Sequence, residues 1–199
     1  PGRRRGRSHR QPTPTNARNF EKTSKKLTSE LPEKYTTLAI DQTRKAVGCE
    51  LYRAWFPAGE RIPLPYWKTY EGVKLLGALS EAGETFVTEV QDTFTSEVTV
   101  RFLKALQDEF GDHIHVILDN ATYFSSNRVA EFVGDSAVEV TYLPTGSPDM
   151  NPVEECWRQF KRRLGNRYFE SLDQLRTAVH PALDSITPPN IYEYLCPAV

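Results

Sequence analysis

At Thr95 the hydrophobic period of this chain changes, and that change restricts the fold more than any other feature of the sequence. Before it, apolar residues come in short runs suited to strands. These are Thr36 to Asp41, the aromatic run Leu51-Tyr52-Arg53-Ala54-Trp55-Phe56, and the pair Val73–Leu79 and Thr85–Val90 around Glu81-Ala82-Gly83-Glu84, which reads as a hairpin. Residues 20–30 suit a short helix, and residues 61–70, with two prolines, a loop. After Thr95, the residues Thr99, Phe102, Leu103, Leu106 and Phe110 recur at helical spacing behind the cap candidates Thr95 and Ser96, with Gly111 as a stop. Strand and helix signals then alternate. A strand from His113 to Asp119 precedes a helix from Ser125 to Val133, closed by Gly134; a strand from Val138 to Leu143 precedes a helix from Asn151 to Leu164. A last helix opens on the capping box Ser171-Leu172-Asp173-Gln174 and is kinked or ended by Pro181. Antiparallel strands followed by α/β crossovers predict an α/β fold, a mixed sheet covered by helices.

The net charge of −1 hides a division of the 199 residues. Residues 1–26 hold nine Lys and Arg against Glu21 alone, a net of +8, so the remainder carries −9. A basic arm on an acidic body suits phosphate binding, and equally a solubilising tail. Cys49, Cys156 and Cys196 are far apart and odd in number, which predicts neither a disulfide framework nor a zinc site and points to a reducing, cytosolic compartment. No apolar stretch approaches the roughly 18–20 residues that span a bilayer.

Three carboxylates stand where strands end or a helix begins. Asp41 closes the run Leu38-Ala39-Ile40, Asp119 closes Val116-Ile117-Leu118, and Glu154 follows Asn151-Pro152-Val153, with 34 residues between the second and the third. Each has a plain structural role available: an Asp-Asn pair after a strand makes a turn, and Glu in a helix's first turn is favoured by the dipole. With Asn151 as N-cap, Val153, Cys156, Trp157, Phe160 and Leu164 share one stripe at about 100° per residue. Glu154 then borders the stripe and leans over the sheet, while Glu155 faces solvent. Together the three carboxylates make a hard-oxygen donor set for two divalent cations, which suits phosphodiester chemistry. Arg158, Lys161 and Arg162 lie on or near the same flank as DNA-contacting candidates, as do Arg3, Arg4, Arg5, Arg7 and Arg10 in the arm. His113 and His115 alternate on the strand before Asp119 and are expected to pack rather than to ligate metal.

Three segments resemble one family. Leu38-Ala39-Ile40-Asp41, Val116-Ile117-Leu118-Asp119-Asn120-Ala121, and Leu143-Pro144 with Ser147-Pro148-Asp149-Met150-Asn151-Pro152-Val153-Glu154-Glu155-Cys156-Trp157 are similar to the catalytic domain of mariner-type and related insertion-sequence (630-type) DDE transposases, over about residues 30–195. The resemblance implies a ribonuclease-H-like mixed five-stranded sheet flanked by helices. It implies that Asp41, Asp119 and Glu154 hold two Mg2+ ions, with Mn2+ as substitute, Asp41 bridging both. It implies cleavage at transposon inverted repeats and strand transfer into target DNA at TA sites by a homodimer on chromosomal or plasmid DNA. Residues 1–29 correspond to a basic linker after helix-turn-helix domains, and residues 30–199 to the catalytic domain. Two positions depart from the family: Gln42 stands where Glu is usual, and Phe124 where His is usual. Two other functions fit the residues, a transposase remnant that only binds DNA and a host nuclease of the same fold.

Overall fold

The computed structural model describes residues 34–52 and 69–195. The arm at residues 1–29, residues 53–56 of the aromatic run and Cys196 lie outside them, as do the helix expected at residues 20–30 and nearly all of the loop at 61–70.

Five strands form one mixed sheet: β1 (Thr36–Ala46), β3 (Gly72–Ser80), β4 (Thr85–Glu89), β5 (Ile114–Leu118) and β6 (Val138–Tyr142), in the order β4-β3-β1-β5-β6. The hairpin β3–β4 and the pair β1–β3 are antiparallel, whereas β5 runs parallel to both β1 and β6. This is the expected α/β class. The expected strand at Leu51–Phe56 is not found where it can be seen. A two-residue strand, β2 (Gly48–Cys49), pairs instead with β7 (Tyr168–Phe169), and Leu51 and Tyr52 are exposed and irregular.

Side chains alternate across the sheet, so each face builds its own core. Leu38, Ile40, Leu76, Ala78, Ile114, Val116 and Leu118 face helices α1 (Ser96–Phe110) and α2 (Asn127–Gly134) through Phe102, Leu103, Leu106 and Val129. Ala39, Leu75, Leu79 and Ile117 face α3 (Val153–Leu164), α4 (Leu172–Asp184) and α5 (Ile191–Leu195) through the predicted stripe Val153, Cys156, Trp157, Phe160 and Leu164. Two caps are those the sequence indicates, Thr95 and Ser171, and Ser126 is a third: their side chains accept from the Val98, Gln174 and Val129 amides, satisfying first-turn donors. Pro181 does not end its helix. It sits inside α4, which continues to Asp184.

One close approach sets the height of α3 above the sheet. A Cβ on Gly77 would lie 2.6 Å from two ring atoms of Trp157, so only glycine admits the indole there. Trp157 is 1 % exposed. Gly77→Ala is therefore expected to destabilise the fold by about 1–3 kcal/mol through overpacking. Adding Trp157→Phe should recover part of the loss, because the smaller ring makes room. Urea unfolding of the two variants measures this, and a Gly77→Ala protein as stable as the parent would refute it.

A candidate carboxylate active site

Asp41 is not at the end of a strand, as the sequence suggested. It lies midway along an eleven-residue β1, which runs on to Ala46. Polar residues hide this continuation. Lys45 is 2 % exposed yet stays in the strand because Glu50 meets its ammonium at 3.3 Å and the Phe169 ring lies 5.9 Å away. What ends near Asp41 is its neighbour. The parallel register between β1 and β5 stops at Ala39 and Ile117, while β3 continues to pair with β1, placing Gly77 opposite Asp41. On its β5 side Asp41 therefore looks into open space at the carboxyl end of β5. Asp119, the first residue after β5, stands at that same end.

The turn role available to Asp119 is also real. Its Oδ1 accepts from the Ala121 amide at 3.0 Å, and Asn120 Nδ2 donates to the Leu143 carbonyl at 3.0 Å, fixing the turn against the chain leaving β6. These bonds engage one carboxylate oxygen of Asp119 and leave the other for a ligand.

Glu154 is placed by its neighbours. Asn151 is 3 % exposed; its Oδ1 accepts from the Val153 amide at 3.1 Å, the expected capping bond, and its Nδ2 donates to the Ile40 carbonyl at 3.0 Å. The start of α3 is thus tied to the residue before Asp41, and Trp157, one turn later, is seated on Gly77. Between these two fixed points Glu154 borders the sheet, as the helical phase predicts. Glu155 turns away from the cavity, but not into free solvent. It is 24 % exposed, ion-paired with Arg158 and reached by Gln159 Nε2 at 3.4 Å.

Asp41, Asp119 and Glu154 line one cavity of about 300 Å³, together with Asn120, Ser147 and Asn151. The Asp41 carboxyl is pushed up to about 8, first by burial, then by the negative charge of Glu154 and, less, of Asp119; a bond from the Gln42 amide and the nearby Lys161 only partly offset this. A carboxyl that holds its proton near neutrality because it is buried among like charges is a carboxyl that a cation would ionise. The all-oxygen donor set fits a hard divalent ion. The side chains are not drawn into a finished ligand shell: among the described residues, no group of three or more His, Cys, Asp or Glu is arranged to hold a metal ion.

The remaining candidates separate. Lys161 acts on Asp41 electrostatically, whereas Arg158 is committed to Glu155, and Arg162 influences Tyr52 on another side. The five arm arginines lie outside the described residues. His115 is buried away from the cavity, its Nε2 3.0 Å from Thr141 Oγ1, and burial lowers it to about 4, so it stays neutral. His113 precedes β5 and packs edge-on against Tyr35. Phe124, in the position where the family usually has His, is 1 % exposed and belongs to the core under α2. The residue beside it faces the acids instead. The Tyr123 hydroxyl is raised by burial and then by Asp119 and Asp41, and its ring stacks on Phe94 at 5.7 Å. Ser147 lies inside the motif that carries Glu154, and Tyr123 two residues beyond the one that carries Asp119, but nothing in either position marks the residue for a role.

Comparison with known proteins gives a family and a fold. Residues 36–176 match the family described as DDE superfamily endonuclease. No curated protein matches the sequence. Among solved structures, the Mos1 transposase paired-end complex with left transposon end superposes with a TM-score of 0.67 at 15% identity, over 98% of this chain and 62% of that one. The mariner Mos1 paired-end complex with Mg gives 0.67 at 15% identity, over 98% and 64%. The catalytic domain of Mos1 mariner transposase gives 0.63 at 12% identity, over 94% and 89%. The chain spans about three fifths of the length of the first of these. The shared architecture is the ribonuclease-H-like one, a mixed five-stranded sheet with helices on both faces.

Proposed function

The chain belongs to the DDE superfamily endonucleases, and from that premise we propose that it is the catalytic domain of a DNA transposase that cuts at transposon ends and joins them to target DNA. The observation that carries this is the meeting of Asp41, Asp119 and Glu154 on one cavity at the carboxyl end of β5, built from three separate segments. Asp41, Asp119 and Glu154 are the residues that would hold two divalent cations, Mg2+ or Mn2+. When bound, such ions supply an activated water or DNA 3′-hydroxyl and stabilise the leaving 3′-oxygen. The solved relatives in complex with transposon ends, and with Mg or Mn, support the same assignment of DNA and metal here.

The chain's own groups have distinct tasks. Burial of Asp41 leaves its charge weakly screened, so a cation held there would meet a stronger field than at the surface. Lys161 places a positive charge beside an acidic cleft, where a phosphodiester must approach three carboxylates. The arm at residues 1–29, with Arg3, Arg4, Arg5, Arg7 and Arg10, adds salt-sensitive contacts to the DNA backbone as the linker after an upstream DNA-reading region. Action as a homodimer and insertion at TA sites complete the proposal.

The test is strand cleavage. Full-length protein is incubated with DNA carrying its element's terminal inverted repeat, in Mg2+, Mn2+ or EDTA. Cation-dependent nicks at the repeat boundary are expected. Binding to the repeat with no cut in Mn2+ would replace this function with the non-enzymatic one, and a preference for branched DNA would replace it with a host nuclease.

A further inference from the structure

Ser147 is 6 % exposed, lines the carboxylate cavity, and its Oγ has no hydrogen-bond partner among the described residues. Hydroxyls this deeply buried are nearly always paired, so an orphan at the wall of a cleft is informative. Its position is built, not incidental. Gly146 takes a φ of 79°, a conformation side chains rarely adopt, and the Ser147 amide donates to the Pro144 carbonyl at 3.2 Å, closing a tight turn after β6. The Met150 amide then donates back to the Ser147 carbonyl at 3.1 Å, so Ser147 is held from both sides while its side chain is left unused.

The rest of the cavity explains what such a hydroxyl is for. Three carboxylates, when ionised, can only accept hydrogen bonds. The two amide side chains present each commit one N–H to the chain, Asn120 Nδ2 to the Leu143 carbonyl and Asn151 Nδ2 to the Ile40 carbonyl. Thr145 sits on the exposed rim. Among the described residues lining the cavity, Ser147 is the one whose buried side-chain donor has no partner at all. A phosphodiester entering this cleft brings non-bridging oxygens that gain negative charge as the phosphorus is attacked.

Resting on the function proposed above, we infer that Ser147 Oγ donates a hydrogen bond to one non-bridging oxygen of the scissile phosphate, and so fixes which of the two prochiral oxygens faces the carboxylates. The contact makes Ser147 a substrate-touching residue with no covalent part in the reaction.

Stereospecific sulfur substitution tests this. Terminal-repeat DNA is prepared with oxygen, an Rp phosphorothioate or an Sp phosphorothioate at the cleavage position, and single-turnover rates are measured in Mn2+, which accepts sulfur. Sulfur is the weaker acceptor, so the full-length parent should cut one diastereomer roughly tenfold more slowly than the other. Ser147→Ala should slow the oxygen substrate by a similar factor and lose the discrimination, while Ser147→Thr, which keeps the hydroxyl, should retain it. Melting temperatures of both variants show that they are folded. A Ser147→Ala protein that keeps the parent's diastereomer preference, or a parent with none, overturns the inference. Failure of the parent to cut the oxygen substrate at all would instead remove the function on which the inference rests, and with it the inference; the unmodified protein alone reveals that.

Discussion

Asp119→Asn is expected to lower metal-dependent strand cleavage by about a thousandfold or more while leaving the fold in place. The two halves of that result have separate causes. The amide oxygen of Asn can still accept from the Ala121 amide, as Asp119 Oδ1 does at 3.0 Å, so the turn after β5 keeps its bond. The lost charge is what a hard divalent cation requires, and displacement at phosphorus depends on that cation for the charge of both attacking and leaving oxygens. Cleavage of terminal-repeat DNA in Mn2+, beside circular dichroism melting and DNA binding, measures all three properties. An Asp119→Asn protein that cuts as well as the parent would mean that the chemistry is elsewhere on the fold.

The second large effect concerns stability without metal. The Asp41 carboxyl sits near 3.8 when unfolded and is pushed up to about 8 in the fold, mainly by burial and then by Glu154 and Asp119. Below 3.8 both states hold the proton and the group favours neither. Between the two values the unfolded chain has released its proton and the folded one retains it, so stability falls with each pH unit by at most about 1.4 kcal/mol. Above 8 the loss is complete. Asp41→Asn removes this dependence. In EDTA the variant should melt progressively higher than the parent as pH rises from 5 to 8. Mn2+ should reverse the order, because it binds the ionised cluster of the parent and competes with the proton. Melting curves with and without Mn2+ at several pH values report this, and a constant gap between parent and variant in EDTA would count against a buried, repelled Asp41.

How far the molecule was legible in its sequence depended on what each segment packs against. The stripe on α3 and the caps of α1 and α4 were readable because helix periodicity and capping are local. The hairpin β3–β4 was readable for the same reason. The length of β1 was not, because Thr43 and Lys45 look like the end of a strand until Glu50, across the turn into β2, and Phe169, distant in sequence, meet the lysine. The short pair β2–β7 carries too few residues for any period to show. At the site, Asp119 could be named from a strand end and Glu154 from helix phase, whereas the strand end read at Asp41 is not there, because β1 runs on to Ala46. Ser147 and Tyr123 could not, because their significance lies in a missing hydrogen bond and in nearness to acids on other elements. The partner of Arg158 was open in the same way: Glu154 and Glu155 lie four and three residues before it, and the structure pairs it with Glu155.

Asn151 gives the site a property that reaches beyond one molecule. It holds the entry of α3 to β1 through two hydrogen bonds, and no hydrogen bond of the Glu154 carboxylate takes part. Architecture and reagent are therefore encoded in different codons three apart. With Glu154 in the role proposed above, a single base change at position 154 would silence the chemistry and leave the gene product folded, out of reach of the quality control that destroys misfolded chains. Descendants of this sequence are thus free to lose activity without losing the protein, and a census of sister copies should find the acid at 154 decaying earlier than the amide at 151.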